Sequence, residues 1–148
     1  MIHSARHAPW LLLVAGLLAG GGQAGAPQEA EPEPDWGAIQ AVITAQLDAF
    51  KRDDGVAAFS FAAPSIQKQF GTPAEFMRMV RVGYAAVYRP GAVRFLDPYL
   101  VAGQPVQPLE IVTAEDGVVV AFYIMERQPD GSWRIAGCVL GQSSAVSA

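Results

Sequence analysis

The stretch VVVAFYIMERQPDGSWRIAGCVL, residues 118–140, decides the fold class of this chain. Two runs rich in β-branched and aromatic residues flank a turn sequence, PDGS, at 129–132. Asp-Gly pairs adopt the positive φ angles that tight hairpins require, so the stretch predicts two antiparallel strands. The runs VRFLDPYLV at 93–101 and VQPLEIVT at 106–113 have the same character. We therefore expect an antiparallel meander of about four strands.

The residues before these strands have helical periodicity. Over 36–52, apolar side chains recur at three- and four-residue steps, and Asp35 is placed to cap the first turn. Shorter helices are predicted over 56–62 and 65–70. Because the helices come first and the meander second, the pattern favours an α+β domain over alternating α/β units.

The segment TPAEF at 72–76 holds three consistent signals for the start of a helix. Thr72 can cap the first turn, a proline occupies the first helical position, and Glu75 can reach back to the cap amide. These signals predict a helix over 73–82. Gly83 is expected to close it in the left-handed conformation.

The N-terminus has the features of an export leader. Arg6 precedes the apolar run WLLLVAGLLA at 10–19, which a small-residue tract follows. The run is about half the length that a bilayer-spanning helix needs, so a cleaved leader is favoured over an uncleaved anchor. Cleavage after Ala26 and cleavage after Ala24 both fit the tract. We expect a periplasmic or secreted protein.

The chain is therefore divided into four segments by composition. The stretch 27–35 is acidic and proline-rich, with no large apolar side chain, so it cannot contribute to a core. The predicted segments are an export signal peptide at 1–26, a disordered linker at 27–35, a single α+β domain at 36–142 and a disordered tail at 143–148.

Histidine chemistry is excluded from the expected mature protein. Both histidines, His3 and His7, fall in the leader, and Cys138 is the single cysteine. Catalytic triads built on a Ser/His or Cys/His pair therefore lack their histidine, and ordinary zinc sites lack their ligands. We expect no metal and no cofactor. Cys138 lies in an apolar strand and is expected to be buried rather than paired between chains.

The charge of the folded part restricts its partners. Residues 36–148 carry nine basic and ten acidic side chains, so this part is nearly neutral. Nucleic-acid binding depends on many phosphate contacts from Lys and Arg. We expect no nucleic-acid partner and, once the leader is removed, no membrane partner.

Three strings carry a resemblance to known families: QFGTPAEF at 69–76, GYAAVYRP at 83–90 and ERQPDGSWRIAGCVL at 126–140. Together they resemble the bacterial family called domain of unknown function 4864. The order of helices and the terminal hairpin also resemble the nuclear transport factor 2-like superfamily. The likeness covers nearly all of residues 38–141. It implies N-terminal helices that form a cone against a strongly curved sheet, and the narrower family implies no assigned activity.

The first functional hypothesis is a noncatalytic binding or accessory protein that takes a small apolar or amphipathic ligand in the mouth of the cone. Tyr84, Tyr88 and Arg89 are candidates because GYAAVYRP connects the last helix to the first strand. Tyr123, in an alternating strand, is a further candidate. The simpler interpretation is that these tyrosines fill the edge of the core.

The second hypothesis is an isomerase- or dehydratase-like enzyme with a carboxylate and a tyrosine in the cone, as the superfamily resemblance implies. The candidate carboxylates and the strand tyrosine are Asp97, Tyr99, Glu110 and Glu126. No pair among them has a diagnostic spacing, and the Asp97-Pro98 step is typical of a strand end or bulge.

The third hypothesis is an interaction module. The apolar run VVVAFYIM at 118–125 can be covered on both faces, which predicts a homodimer. Four arginines, Arg78, Arg81, Arg89 and Arg94, could hold an anionic partner. A solvated face is the favoured interpretation of these arginines, because Glu75 lies three residues before Arg78.

Overall fold

A computed structural model describes residues 32–115 and 117–142. The predicted signal peptide, most of the linker and the tail at 143–148 lie outside the described residues. Five helices precede five strands, which confirms the predicted α+β order. Their bounds are α1 Trp36–Lys51, α2 Gly55–Ser60, α3 Pro64–Phe70, α4 Pro73–Gly83, α5 Ala85–Tyr88, β1 Val93–Phe95, β2 Tyr99–Val101, β3 Gln104–Thr113, β4 Gly117–Arg127 and β5 Trp133–Gln142.

The predicted caps start the two longest helices. The Asp35 carboxylate accepts a hydrogen bond from the Ala38 amide at 3.0 Å. The Thr72 hydroxyl accepts one from the Glu75 amide at 3.2 Å, and proline follows Thr72 as the first residue of α4. Each cap satisfies an amide that the first helical turn leaves without a partner. Neither of these helices, nor any other in the described part, is long and apolar enough to cross a membrane.

The end of α4 differs from the prediction. Gly83 is the last helical residue and has no positive φ; Tyr84 closes the helix with φ −132°. The reason is that α5 begins at once, and the Tyr84 carbonyl already accepts from the amides of Val87 and Tyr88. The prediction that Glu75 reaches back to the cap amide is wrong: the Thr72 amide donates to the Phe70 carbonyl at 2.9 Å, and the Glu75 side chain pairs with Arg78 at 3.0 Å.

The helix α2 is shorter than predicted because the chain after it pairs with the sheet. The Ile135 amide of β5 donates to the Phe61 carbonyl, and the Ala63 amide donates to the Ile135 carbonyl, both at 2.8 Å. These two bonds draw residues 61–63 out of a helix and fix them against the last strand.

The sheet is curved, unclosed and antiparallel, with strand order β1-β3-β4-β5. It has five strands rather than about four because the run 93–101 forms two strands, β1 and β2. Both pair with the same edge of β3. The break falls at residues 96–98, where Pro98 has no amide to donate and the Leu96 amide bonds to the Pro108 carbonyl.

The inner face of the sheet packs against the helices. Alternate residues of β4 and their partners on β3 and β5 form the core with α1 and α4. One polar side chain, Gln107, is fully buried there. Its amide nitrogen donates to the carbonyls of Leu96 and Pro108, and its oxygen accepts from Gln40 of α1 at 3.0 Å. Gln107 therefore joins α1 to the point where the β1–β2 run is broken.

Candidate functional site

A cavity of about 60 Å³ lies between the helices and the inner face of β4 and β5, and it is partly open to solvent. We call it the sheet cavity. Its sheet side comprises Tyr123 of β4 with Ile135, Gly137 and Cys138 of β5. The sheet is curved, and short helices cover its inner face from one side, which leaves this space between them.

The helix side of the sheet cavity is aromatic and aliphatic. Phe50 of α1, Phe76 and Val80 of α4, Tyr84 and Val87 line it. The centre of the Phe76 ring lies 6.3 Å from the centre of the Phe50 ring. It also lies 5.4 Å from the centre of a phenylalanine ring of α2 and 6.0 Å from that of a phenylalanine ring of α3. These edge and tilted contacts hold the wall in one arrangement.

No acid, amine, guanidinium or imidazole belongs to the described residues that line the cavity. Gln46 is the amide among them; it is buried, and its nitrogen donates to the Ala58 carbonyl at 3.1 Å. This bond ties α1 to α2 and satisfies the donor. The cavity is therefore neutral and mostly apolar.

Tyr123 is the exception to this pattern of satisfied groups. Its side chain is 1% exposed, and its hydroxyl has no hydrogen-bond partner in the described part of the chain. Cys138 lies directly opposite on β5, and the thiol and the hydroxyl are close enough that each shifts the pKa of the other, but their geometry does not form a hydrogen bond. Leaving a buried hydroxyl without a partner costs about 1–3 kcal/mol.

Burial keeps both groups neutral. It raises the pKa of the Tyr123 hydroxyl well above its ordinary value of 10.0, and the adjacent Cys138 raises it further. Cys138 is half-buried, not buried as the sequence predicts, yet partial removal of the thiol from water still raises its pKa to about 12. A thiol with so high a pKa is a poor nucleophile near neutral pH.

Of the four residues predicted for the site, Tyr84 and Tyr123 line the sheet cavity. Tyr88 and Arg89 do not line it and make contacts elsewhere. The Tyr88 hydroxyl donates to Asp53 Oδ1, and Arg89 Nη2 lies 3.0 Å from Asp53 Oδ2. Arg89 also donates to the Phe50 carbonyl at 2.7 Å, and its guanidinium carbon lies 4.0 Å from the centre of the Tyr88 ring.

Asp53, Tyr88 and Arg89 form what we call the Asp53 cluster. Asp53 has a φ of 53°, a conformation that aspartate tolerates better than most residues. The hydrogen bond from Tyr88 and the charge of Arg89 lower the pKa of Asp53 below its ordinary value of 3.8. The cluster fastens the end of α1 to α5 and so fixes the part of the wall that Tyr84 and Val87 supply.

A family model matches residues 32–148 and describes a Domain of unknown function (DUF4864). This chain belongs to that family. No curated protein and no solved structure matches the chain. The match confirms the narrower of the two resemblances seen in the sequence, and it assigns neither a ligand nor a reaction to the DUF4864 domain.

The carboxylates considered for catalysis lie apart from the sheet cavity in this DUF4864 domain. Asp97, Tyr99 and Glu126 are exposed, and Glu110 pairs with Arg94 at 2.7 Å across β1 and β3. None of them is among the residues that line the cavity. Within the described residues there is also no group of three or more His, Cys, Asp or Glu side chains that could hold a metal ion.

Sequence reasoning missed Cys138 as a cavity residue. A regular hairpin counted from the pair Arg127 and Trp133 places Gly137 opposite Tyr123. The structure has a register shift between Ile124 and Met125, so that Cys138 takes this position instead. One extra residue in β5 therefore turns the thiol to the inner face, and no sequence signal marks that bulge.

Proposed function

We propose that this DUF4864 domain is a noncatalytic binding protein that takes a small apolar or amphipathic ligand into the sheet cavity. The observation that carries the proposal is a partly open cavity whose described lining is aromatic and aliphatic and contains no charged side chain. Concave apolar sites with a few polar groups are the usual form of small-ligand sites.

The size of the cavity indicates how a ligand would bind. An apolar cavity of about 150 Å³ accommodates a benzene ring. The sheet cavity has about 60 Å³, so it accommodates one end of a ligand rather than a whole ring. The remainder of the ligand would then lie at the solvent-exposed mouth, which favours an elongated molecule with one apolar end.

The same lining favours binding over catalysis. An isomerase or dehydratase needs a proton acceptor within hydrogen-bonding distance of its substrate. The described cavity residues offer a tyrosine and a thiol, and burial raises the pKa of both, so neither becomes a base near neutral pH. Asp97 and Glu126, the exposed strand carboxylates, do not line the cavity and cannot take this role.

A linear alcohol series from butanol to decanol tests the proposal. Titration of the methyl-labelled protein, followed by methyl NMR shifts, should show saturable changes at Val80, Val87 and Ile135. Val87→Phe fills the cavity and should abolish them. Val82→Phe is the matched control, because Val82 is 80% exposed on the adjacent helix and does not line the cavity.

A second cavity-filling variant, Ile66→Phe, tests the proposal if Val87→Phe does not fold. Ile66 lines the cavity and is half-buried. If no alcohol binds the wild-type protein, the proposal is wrong. It is equally wrong if both filled variants fold and bind the alcohols as the wild-type protein does.

Export and self-association stay predictions. The leader at 1–26 predicts a periplasmic or secreted location, and we propose that the ligand is met there. The outer sheet face exposes Val112 by 45% and Val139 by 55%, which is compatible with the predicted homodimer. The nuclear transport factor 2-like relationship also stays a prediction that rests on the order of the elements.

A further inference from the structure

The Tyr123 hydroxyl differs from the other buried polar side chains of the domain. The buried amides are paired: Gln46 donates to the Ala58 carbonyl, and Gln107 donates to two carbonyls and accepts from Gln40. The Tyr123 hydroxyl is the one buried side-chain polar atom of the described residues with no partner. Buried polar groups in native proteins are nearly always paired, so this exception needs a reason.

The position of the hydroxyl supplies that reason. Tyr123 lines the sheet cavity, and its hydroxyl is covered beneath the cavity wall, where Cys138 faces Tyr123 across the strands. A phenol donates a hydrogen bond more readily than it accepts one, because the ring withdraws electron density from the oxygen. A thiol is a weak donor and a weak acceptor. The hydroxyl is therefore suited to pair with an acceptor atom.

The charge of the cavity excludes an ionised acceptor. No Lys, Arg or His is among the described lining residues, and Arg89 and Arg134 are bonded to the carbonyls of two lining residues, Phe50 and Ala62. A carboxylate or phosphate inside the cavity would lose its hydration without gaining a counter-charge. The acceptor must be neutral, as a carbonyl or ether oxygen is.

We infer that the inserted end of the ligand is an uncharged apolar group bearing a carbonyl-type oxygen, and that the Tyr123 hydroxyl donates a hydrogen bond to it. This inference rests on the proposed function of the sheet cavity. The hydroxyl is covered in this structure, so the ligand reaches it when a neighbouring side chain changes rotamer. Cys138, small and directly opposite, is suited to that change.

Two probes of nearly identical shape test the inference. In 2-methyl-1-hexene a methylene group replaces the carbonyl oxygen of 2-hexanone, so the two differ chiefly in the acceptor. Methyl NMR titration gives the ketone-to-alkene affinity ratio of the wild-type protein, which is compared with the ratio of a variant without the hydroxyl because the ketone loses hydration on entry and the alkene does not. Hexanoate at neutral pH should bind more weakly than the ketone.

Tyr123→Phe removes the hydroxyl and keeps the ring. It should lower the ketone-to-alkene affinity ratio about tenfold relative to the wild-type protein, because the ketone oxygen loses its donor, while the alkene still binds as it does to the wild-type protein. Tyr99→Phe is the matched control; Tyr99 is 43% exposed on β2 and does not line the cavity, so this variant should keep the ratio.

The outcomes separate the two levels of the account. If Val87→Phe blocks both probes but Tyr123→Phe keeps the wild-type ketone-to-alkene ratio, the cavity binds ligands but the inferred acceptor is wrong. If neither probe nor any alcohol binds, the proposed function itself fails, and the inference fails with it.

Discussion

Tyr123 of β4 and Cys138 of β5 lie directly opposite each other, and both side chains line the sheet cavity. The tyrosine hydroxyl has no partner in the described part of the chain, and burial raises the pKa of both groups, so the pair is neutral near pH 7. In an ordinary packed core such a hydroxyl is paired. The pair therefore places a polar hydroxyl beneath the wall of an apolar cavity.

The first prediction concerns the stability of Tyr123→Phe without ligand. The substitution removes an unpaired buried hydroxyl, so the free energy of unfolding should rise by about 1 kcal/mol or more. Urea denaturation monitored by circular dichroism measures the change. Tyr99→Phe, at an exposed position, should stay within about 0.5 kcal/mol of the wild-type protein. A loss of more than about 1 kcal/mol in Tyr123→Phe would show that the hydroxyl is paired.

The second prediction concerns alkylation of Cys138. Burial raises the thiol pKa from 9.0 to about 12, so below pH 9 the native protein holds about a thousandfold less thiolate than the unfolded chain. Iodoacetamide should react with the native thiol at least that much more slowly. Mass spectrometry of native and urea-unfolded samples between pH 7 and pH 9 gives the two rates. Native and unfolded rates within about tenfold of each other would contradict the assigned environment.

The third prediction concerns the pH dependence of Asp53→Asn. The folded pKa of Asp53 lies below 3.8, chiefly because Tyr88 donates a hydrogen bond to the carboxylate. The stability that this gives is present above the unfolded pKa and is lost as the pH falls through the folded pKa. Asparagine tolerates the positive φ at this position, so the backbone stays unchanged.

Urea denaturation of both proteins across pH 7 to pH 2 measures this loss. Asp53→Asn should be less stable than the wild-type protein at pH 7, and the difference should shrink in acid. Asp54 and Asp130, whose pKa values are also lowered, are present in both proteins and cancel in the comparison. A difference that stays constant down to pH 2 would mean that the Asp53 cluster does not depend on the charge of the carboxylate.

The fourth prediction concerns Gln107, which is fully buried and bonded to three partners. Gln107→Leu removes the hydrogen bonds to two carbonyls and to the Gln40 amide, and should lower the free energy of unfolding by about 2–4 kcal/mol. Gln104→Leu, exposed on the same strand, is the control. Chemical denaturation of both variants gives the comparison. Equal stabilities would show that Gln107 does not hold α1 to the sheet.

Local signals in the sequence predict much of the fold. The Thr72 cap, the proline after it and the Asp130-Gly131 turn act through neighbouring residues, and the structure confirms each of them. Three departures have different causes. Gly83 stays helical because α5 begins immediately after Tyr84, and α2 ends early because residues 61–63 pair with β5. The strand count differs because the Asp97-Pro98 step, typical of a strand end, divides one run into β1 and β2.

The candidate site could be predicted in part. GYAAVYRP places two tyrosines four residues apart, but Tyr84 lines the cavity while Tyr88 binds Asp53, which lies 35 residues earlier. That contact depends on how the end of α1 meets α5, which no local pattern encodes. The Tyr123–Cys138 pair depends on a bulge whose position the sequence does not mark.

A crystal structure of the wild-type protein grown with 2-hexanone tests the central claim most directly. The account predicts the ketone inside the sheet cavity, between Phe76 and the inner face of β4, with its oxygen within hydrogen-bonding distance of the Tyr123 hydroxyl. A cavity that stays empty or holds ordered water at saturating ketone would contradict it, as would a ketone bound elsewhere on the domain.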